Sequence, residues 1–225
     1  MDGNEVGPCL AGLSADLLRA DRFQRGWYAR DAALVARSLI GCLLVHEEPG
    51  RAPRVSRIVE TEAYRGPRDL ACHARAGLTK RTRTLLAEEG HAYVFFIYGM
   101  HDCFNVTCRG AGHGHAVLIR AGEPTSGFEG GRESSVRLDG PGRFARGMGI
   151  TRAVDGHDLT LPPLYVCPRL QRPRITVTAR VGVAYAGDWA DRPWRFLDAG
   201  SPHVSKPPKS AIGRGLRVGS RHKAR

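Results

Sequence analysis

The stretch "AYVFFIYGMHDCFNVTC", Ala92 to Cys108, constrains the chain more than any other. Two runs rich in aromatic and β-branched residues, 92–98 and 103–108, flank Gly99-Met100-His101-Asp102, which is a hairpin pattern. A further strand-like run, "HAVLIRA" at 115–121, follows at once, and 56–64, about 174–184 and 194–198 read the same way. Helical patterns lie around them. "DAALVARSLIG" (31–41) has Asp31 to cap it, an apolar stripe of Leu34, Val35, Leu39 and Ile40, and Gly41 to end it. "TKRTRTLLAEEG" (79–90) reads as a second helix between Thr79 and Gly90. Its basic first half opposes the helix dipole, which points those charges toward something outside. "GPGRFARGMGI" (140–150) predicts a short helix. Strands in the middle with helices around them predict a single α+β domain.

The ends differ from this centre. Residues 1–26 show little periodicity and read as a flexible N-terminal arm, ahead of a folded domain over 27–205. Residues 206–225 hold seven Lys or Arg and no acid, the pattern of a disordered basic tail. Over the whole 225 residues, 34 basic against 22 acidic side chains give a net charge of +12. That balance favours a polyanionic partner and argues against a carbohydrate substrate. No window approaches the ~18 apolar residues of a membrane span. Asp2 and Glu5, with no apolar core after them, do not read as a signal peptide. With a polyanionic partner, either nucleic acid or an anionic surface, and no export signal, the chain is expected in the cytoplasm and nucleoid if bacterial or in the nucleus if eukaryotic, and not secreted. Six dispersed cysteines with no CxxC pair suit a reducing compartment. Cys103, Cys108, His113 and His115 match no usual zinc spacing, so neither a metal nor a cofactor is expected.

Chemistry concentrates in "RIVETEAYRGPRDLACH", Arg57 to His73. Strand alternation places Ile58, Glu60, Glu62 and Tyr64 on one face and the packable Val59, Thr61 and Ala63 on the other. The acids suit either a solvated edge or a pocket that Gly66-Pro67 and His73 help to close. A lone carboxylate in a dry pocket can serve as general base to a water; a pair suggests sugar-bond hydrolysis. At the hairpin tip, Tyr98 either caps the core or is presented as a wedge for a DNA stack. Asn105, on the return strand, is either a satisfied core amide or a reader of a base edge.

"IVETEAYRGPRDLACHA", "YVFFIYGMHDCFNV", "AVLIRAGEP", "GPGRFARGMGI" and "ARVGVAYAGDWADRPWRF" occur in this order over about residues 28 to 205. Together they resemble the 3-methyladenine (alkyladenine) DNA glycosylases of the mammalian type. The resemblance implies a curved, mostly antiparallel sheet flanked by helices, with a protruding β-hairpin. It implies a monomer that flips damaged purines out of double-stranded DNA and hydrolyses the glycosidic bond. Glu62 matches the general base, while Glu60 matches a position without a catalytic role. Arg120 and the backbone carbonyl of Val181 match groups that help hold the water. Tyr64 and His73 match two residues that sandwich the base; the third, usually Tyr, is Phe95 here. Tyr98 matches the side chain that fills the gap in the stack, and Met100 beside it is expected to insert too. Asn105 matches the residue that screens against guanine. His101 stands where Tyr is common, and Arg143 stands where a Lys meets a phosphate. No lysine occupies a motif position, so a monofunctional enzyme leaving an abasic site is implied.

Other readings compete. "LDGPGRFARGMGI" has the look of a helix-hairpin-helix glycosylase, against which stands the strand-rich centre. A non-catalytic nucleic-acid binder would leave Glu62 as a surface acid, and a carbohydrate hydrolase would use Glu60 and Glu62 as its pair.

Overall fold

The computed structural model describes residues 14–97, 99–129 and 135–205. Their strands are β1 (Leu43–His46), β2 (Arg54–Arg65), β3 (Ala92–Ile97), β4 (His101–Cys108), β5 (His115–Ser126), β6 (Leu164–Cys167), β7 (Ile175–Thr178) and β8 (Arg195–Asp198). They form one antiparallel sheet in the order β3-β4-β5-β2-β1-β6, with β8 on β2 and β7 on β8, curled into a half-barrel. Helices α1 (Ala15–Asp21), α2 (Arg25–Tyr28), α3 (Ala32–Leu39) and α4 (Pro141–Met148) pack around it. This is the expected single α+β domain.

The sheet branches at β2. Its first half pairs with β1, from Leu43 opposite Arg57 to His46 opposite Arg54. Along the same edge its second half pairs with β8, placing Glu60, Thr61 and Glu62 opposite Leu197, Phe196 and Arg195. β5 runs along the other edge, and its register shifts between Ile58 and Glu60 and again between Glu60 and Thr61. A bulge bends its strand and breaks the two-residue alternation. Ile58 therefore joins Ala63 in the main core, and does not share a face with Glu60, Glu62 and Tyr64 as plain alternation predicts. The bend gives two adjacent acids separate surroundings.

The main core joins α3, β2, β4, β5 and α4 through Val35, Leu39, Ile58, Phe104, Ile119 and Phe144, each 0% exposed. Asp31 caps α3 by accepting the Ala33 N–H, as expected. Its buried stripe is Ala32, Val35, Ala36 and Leu39, whereas Leu34, expected in the stripe, faces solvent. α4 begins at Gly140-Pro141-Gly142, where a Cβ on Gly142 would come within 2.8 Å of the His101 ring. That close approach sets the start of α4 against the tip end of the β3–β4 hairpin, where β4 begins.

Several expectations fail locally. The described part of the presumed arm, 14–26, holds α1, whose Ser14 accepts the Leu17 N–H and whose Leu18 is buried against Val45 and Tyr165. One apolar anchor in a seven-residue helix is too little to show as periodicity. The segment 79–90 is a series of turns instead of a helix. Thr79 and Thr82 bond each other's backbone N–H at 2.8 and 3.2 Å, a local alternative to the helical ladder. The expected strand at 174–184 stops at Thr178; the chain then crosses to β2 through Arg180 and Val181. β1 and β6, not anticipated, are four-residue strands buried throughout.

Candidate active site

A cavity of about 580 Å³ opens between β2, the β3–β4–β5 face, the start of α4 and the 181–183 loop. Its lining includes Tyr64, His73, Phe95, Asn105, Arg120 and Val181. The turn after β2 brings His73 across. Gly66 has φ +80°, and a Cβ there would fall 2.5 Å from the His113 carbonyl oxygen, so only glycine fits. Asp69 then accepts the Arg65 and Ala71 N–H groups and pairs with the fully buried Arg180 at 2.6 Å. One ion pair thus ties this turn to the loop carrying Val181.

Glu62 lies just beneath the cavity floor, 0% exposed. One carboxylate oxygen accepts the Val181 N–H at 2.7 Å and faces an Arg120 Nη1 at 3.4 Å; the other accepts the Tyr64 hydroxyl at 2.8 Å. Glu62 is not itself part of the lining, but all three of these residues are. Burial, then the Glu62 carboxylate, pushes the Tyr64 phenol well above its ordinary 10.0, so it stays a donor at neutral pH. Glu60 is equally buried but fully engaged elsewhere. It accepts from Arg120 Nε at 2.6 Å, Arg195 Nε at 2.8 Å, and the Ser205 N–H and hydroxyl at 2.6 and 2.9 Å. Burial opposes its charge, but Arg120 and Arg195 outweigh that and lower its pKa. Arg120 spans both acids, and they in turn outweigh burial to hold its pKa up. Two carboxylates and two guanidiniums balance one another, which is what allows charge to be buried here.

The opposite wall is aromatic. The His73 ring meets Phe95 edge-on at 4.6 Å, and Tyr93 lies 5.3 Å from Phe95. The His73 Nδ1 and the Tyr93 hydroxyl share a hydrogen bond of 3.0 Å. Burial, helped by the Arg81 charge, lowers His73 to about 4, so the imidazole is neutral at physiological pH. Asn105 donates its side-chain amide to the carbonyls of Tyr93 at 3.1 Å and Cys103 at 3.4 Å. At the mouth stand His101, Arg143 and Arg146. Arg143 pairs with Asp139 at 3.0 Å with its side chain half exposed; such a surface pair is cheaply exchanged for a phosphate.

An aromatic-walled cavity with a buried carboxylate beneath its floor suits a planar ring joined to a sugar. Residues 26–202 match the methylpurine-DNA glycosylase family. The chain belongs to that family. A Myxococcus xanthus protein named "Putative 3-methyladenine DNA glycosylase" is 50% identical over 184 residues, covering 81% of this chain and 92% of its own length. Relatives with the same name from Methanocella arvoryzae and Legionella pneumophila (strain Lens) are 47% and 41% identical, covering 81% and 82% of this chain and 94% and 98% of their own lengths. Membership and the all-antiparallel sheet set aside the helix-hairpin-helix alternative. Glu60, neutralised by two arginines, is no partner acid for sugar hydrolysis of the paired kind.

Of the residues expected from the family resemblance, Glu62, Arg120, Tyr64, His73, Phe95, Asn105 and Val181 converge on one place. Val181 touches Glu62 through its N–H. Arg143 and His101 are at the mouth, and Met100 is exposed at the hairpin tip. Tyr98 lies outside the described residues, as do 1–13 and the tail 206–225. Sequence reasoning missed Tyr93, although it sits two residues before Phe95 on the same strand face. It also missed the Arg180–Asp69 pair, which no local pattern announces. Among the described residues, no three His, Cys, Asp or Glu side chains are grouped to hold a metal.

Proposed function

We propose that the protein is a monofunctional base-excision glycosylase, acting as a monomer on double-stranded DNA. It flips an alkylated or deaminated purine into the cavity and hydrolyses the N-glycosidic bond, leaving an abasic site. The observation that carries this reading is Glu62: a fully buried carboxylate held by three groups that line an aromatic-walled cavity. Flipping is required because a stacked base is out of reach, and it costs a few kcal/mol. Tyr64, His73 and Phe95 supply apolar faces in return. A water held by Glu62, Arg120 and the Val181 carbonyl attacks the sugar carbon while Glu62 takes its proton. The bonding pair leaves with the base, which departs neutral when it was cationic, while a neutral purine takes up a proton from solvent as it leaves. Lys80, the one lysine among the described residues, is exposed and outside the cavity lining, which favours water over an amine as nucleophile.

The test is incubation with duplexes carrying 3-methyladenine, 7-methylguanine, hypoxanthine or ethenoadenine, scoring free base and abasic sites, with borohydride added to trap any covalent adduct. Free base without trapping is expected. Absence of free base from every duplex would refute the activity, and a trapped adduct would refute the water nucleophile.

A further inference from the structure

Both ring walls of the cavity are backed by an arginine. Arg180 lies over the Tyr64 ring with its guanidinium carbon 4.8 Å from the centroid, and Arg81 lies over Phe95 at 4.9 Å. Neither arginine belongs to the cavity's lining among the described residues. Arg81 instead lines the smaller cavity beside it, about 430 Å³, with His73 and Cys72. The two guanidiniums therefore meet these rings from outside. Arg180 is locked there by Asp69, with both side chains 0% exposed. Arg81 is exposed, and no carboxylate pairs with it among the described residues. It donates, at 3.4 Å, to the Phe96 carbonyl, and its charge acts on the nearby Tyr93 phenol. The basic run 79–90, a poor helix on its own charges, delivers this side chain to the back of the wall.

An aromatic ring attracts a cation through the negative potential of its faces. A ring already holding a guanidinium on one side offers less to a second cation on the other, and the fixed charge repels it. We propose that Arg81, acting through Phe95, sets the charge preference of the cavity: it disfavours purines that carry a positive charge relative to neutral ones. Arg81 is thus a specificity-determining residue that touches no substrate. Its charge also helps keep His73 neutral, so the imidazole adds no further positive charge. The proposal rests on the purine-glycosylase reading above.

The experiment is single-turnover release of 7-methylguanine, cationic in DNA, and of hypoxanthine, neutral, from otherwise identical duplexes. Wild type, Arg81→Gln and Arg81→Lys are compared, after subtraction of spontaneous loss. The ratio of 7-methylguanine to hypoxanthine release is expected to rise about 2- to 5-fold in Arg81→Gln, the scale of one cation–ring contact. In Arg81→Lys, which keeps the charge, it should stay within about twofold of wild type. Equal slowing of both bases in Arg81→Gln would make Arg81 a phosphate contact or a support of the fold, and would overturn the proposal. An unchanged ratio at unchanged rates would overturn it too. If the wild-type protein releases neither base, the glycosylase reading itself falls and takes this one with it.

Discussion

Glu60 and Glu62 lie two residues apart and are both fully buried, yet their surroundings make opposite predictions. Glu62→Gln keeps the shape but replaces a proton acceptor with an amide that cannot take a proton at neutral pH. Single-turnover release of hypoxanthine should fall by at least the ~10²-fold typical of a lost general base, with binding to lesion DNA unchanged or tighter. A near wild-type rate would remove Glu62 from the mechanism. From sequence, Glu60→Gln looks like a mild control. The structure argues otherwise, because Arg120 and Arg195 would lose their common counter-charge. A broken buried pair costs roughly 3–5 kcal/mol, so Glu60→Gln should show a marked loss in urea unfolding, while activity per folded molecule falls less than in Glu62→Gln. Asn105 also reads differently once its bonds are known. Its amide is committed to two carbonyls, which leaves Oδ1, an acceptor, for a ligand. Guanine's exocyclic amine is a donor, so the screening against guanine that the family resemblance implies for Asn105 would have to be a matter of room. Asn105→Ser should raise release of guanine-type relative to adenine-type lesions on the order of tenfold, the scale of one small group in a pocket. A ratio that does not move would return Asn105 to a purely structural role.

At the scale of elements, the hairpin is the part that was most legible, because turn chemistry and β-rich flanks are local signals. Its arms, α3 with its Asp31 cap and the short helix after Gly140 all formed close to where their residues placed them. What escaped was decided at a distance. β1 and β6 are short apolar runs whose status depends on each other and on β2. The bulge that separates Glu60 from Glu62 depends on β5. Most site residues were recognised through the ordered motifs of the resemblance; spacing alone left a pocket and a solvated edge equally open. The structure adds a brace to the hairpin. Arg152 lies 4.3 Å above the Phe96 ring and pairs with Asp102 at 3.3 Å, gripping both arms close to the turn. Arg152→Ala should loosen the tip that carries Met100. Release from a paired lesion should then drop roughly 2- to 5-fold, the scale of one cation–ring contact. Release from an unpaired lesion should change less, since no stack has to be entered. Equal losses on both would mean that the brace serves folding alone.

For the molecule as a whole, charge governs both its encounter with DNA and its tolerance of acid. Seven of the basic residues lie in 206–225. Phosphate contacts carry no sequence information but set the salt dependence of binding. Removing this segment should flatten the slope of log K against log salt and leave lesion choice unchanged; an unaltered slope would exclude it from the DNA contact. Acid acts inside the fold. Burial, with Arg81 adding to it, holds His73 at about 4. Burial also holds His115 at about 4, although Asp31 pulls the other way. In the unfolded chain both return to the ordinary 6.5. Between those values the unfolded state binds more protons than the native one, so unfolding free energy rises with pH across this window. The contribution is therefore intact above pH 6.5, and is lost as pH falls toward 4. At ~1.4 kcal/mol per pH unit, each histidine accounts for up to roughly 3 kcal/mol. Urea unfolding from pH 7.5 to 4.5 should show a progressive fall in stability. His73→Gln, which removes one buried titration and keeps a hydrogen-bonding side chain beside Tyr93, should make that fall shallower. A wild-type curve that stays flat until the carboxylates titrate would show that neither imidazole is held neutral by the fold.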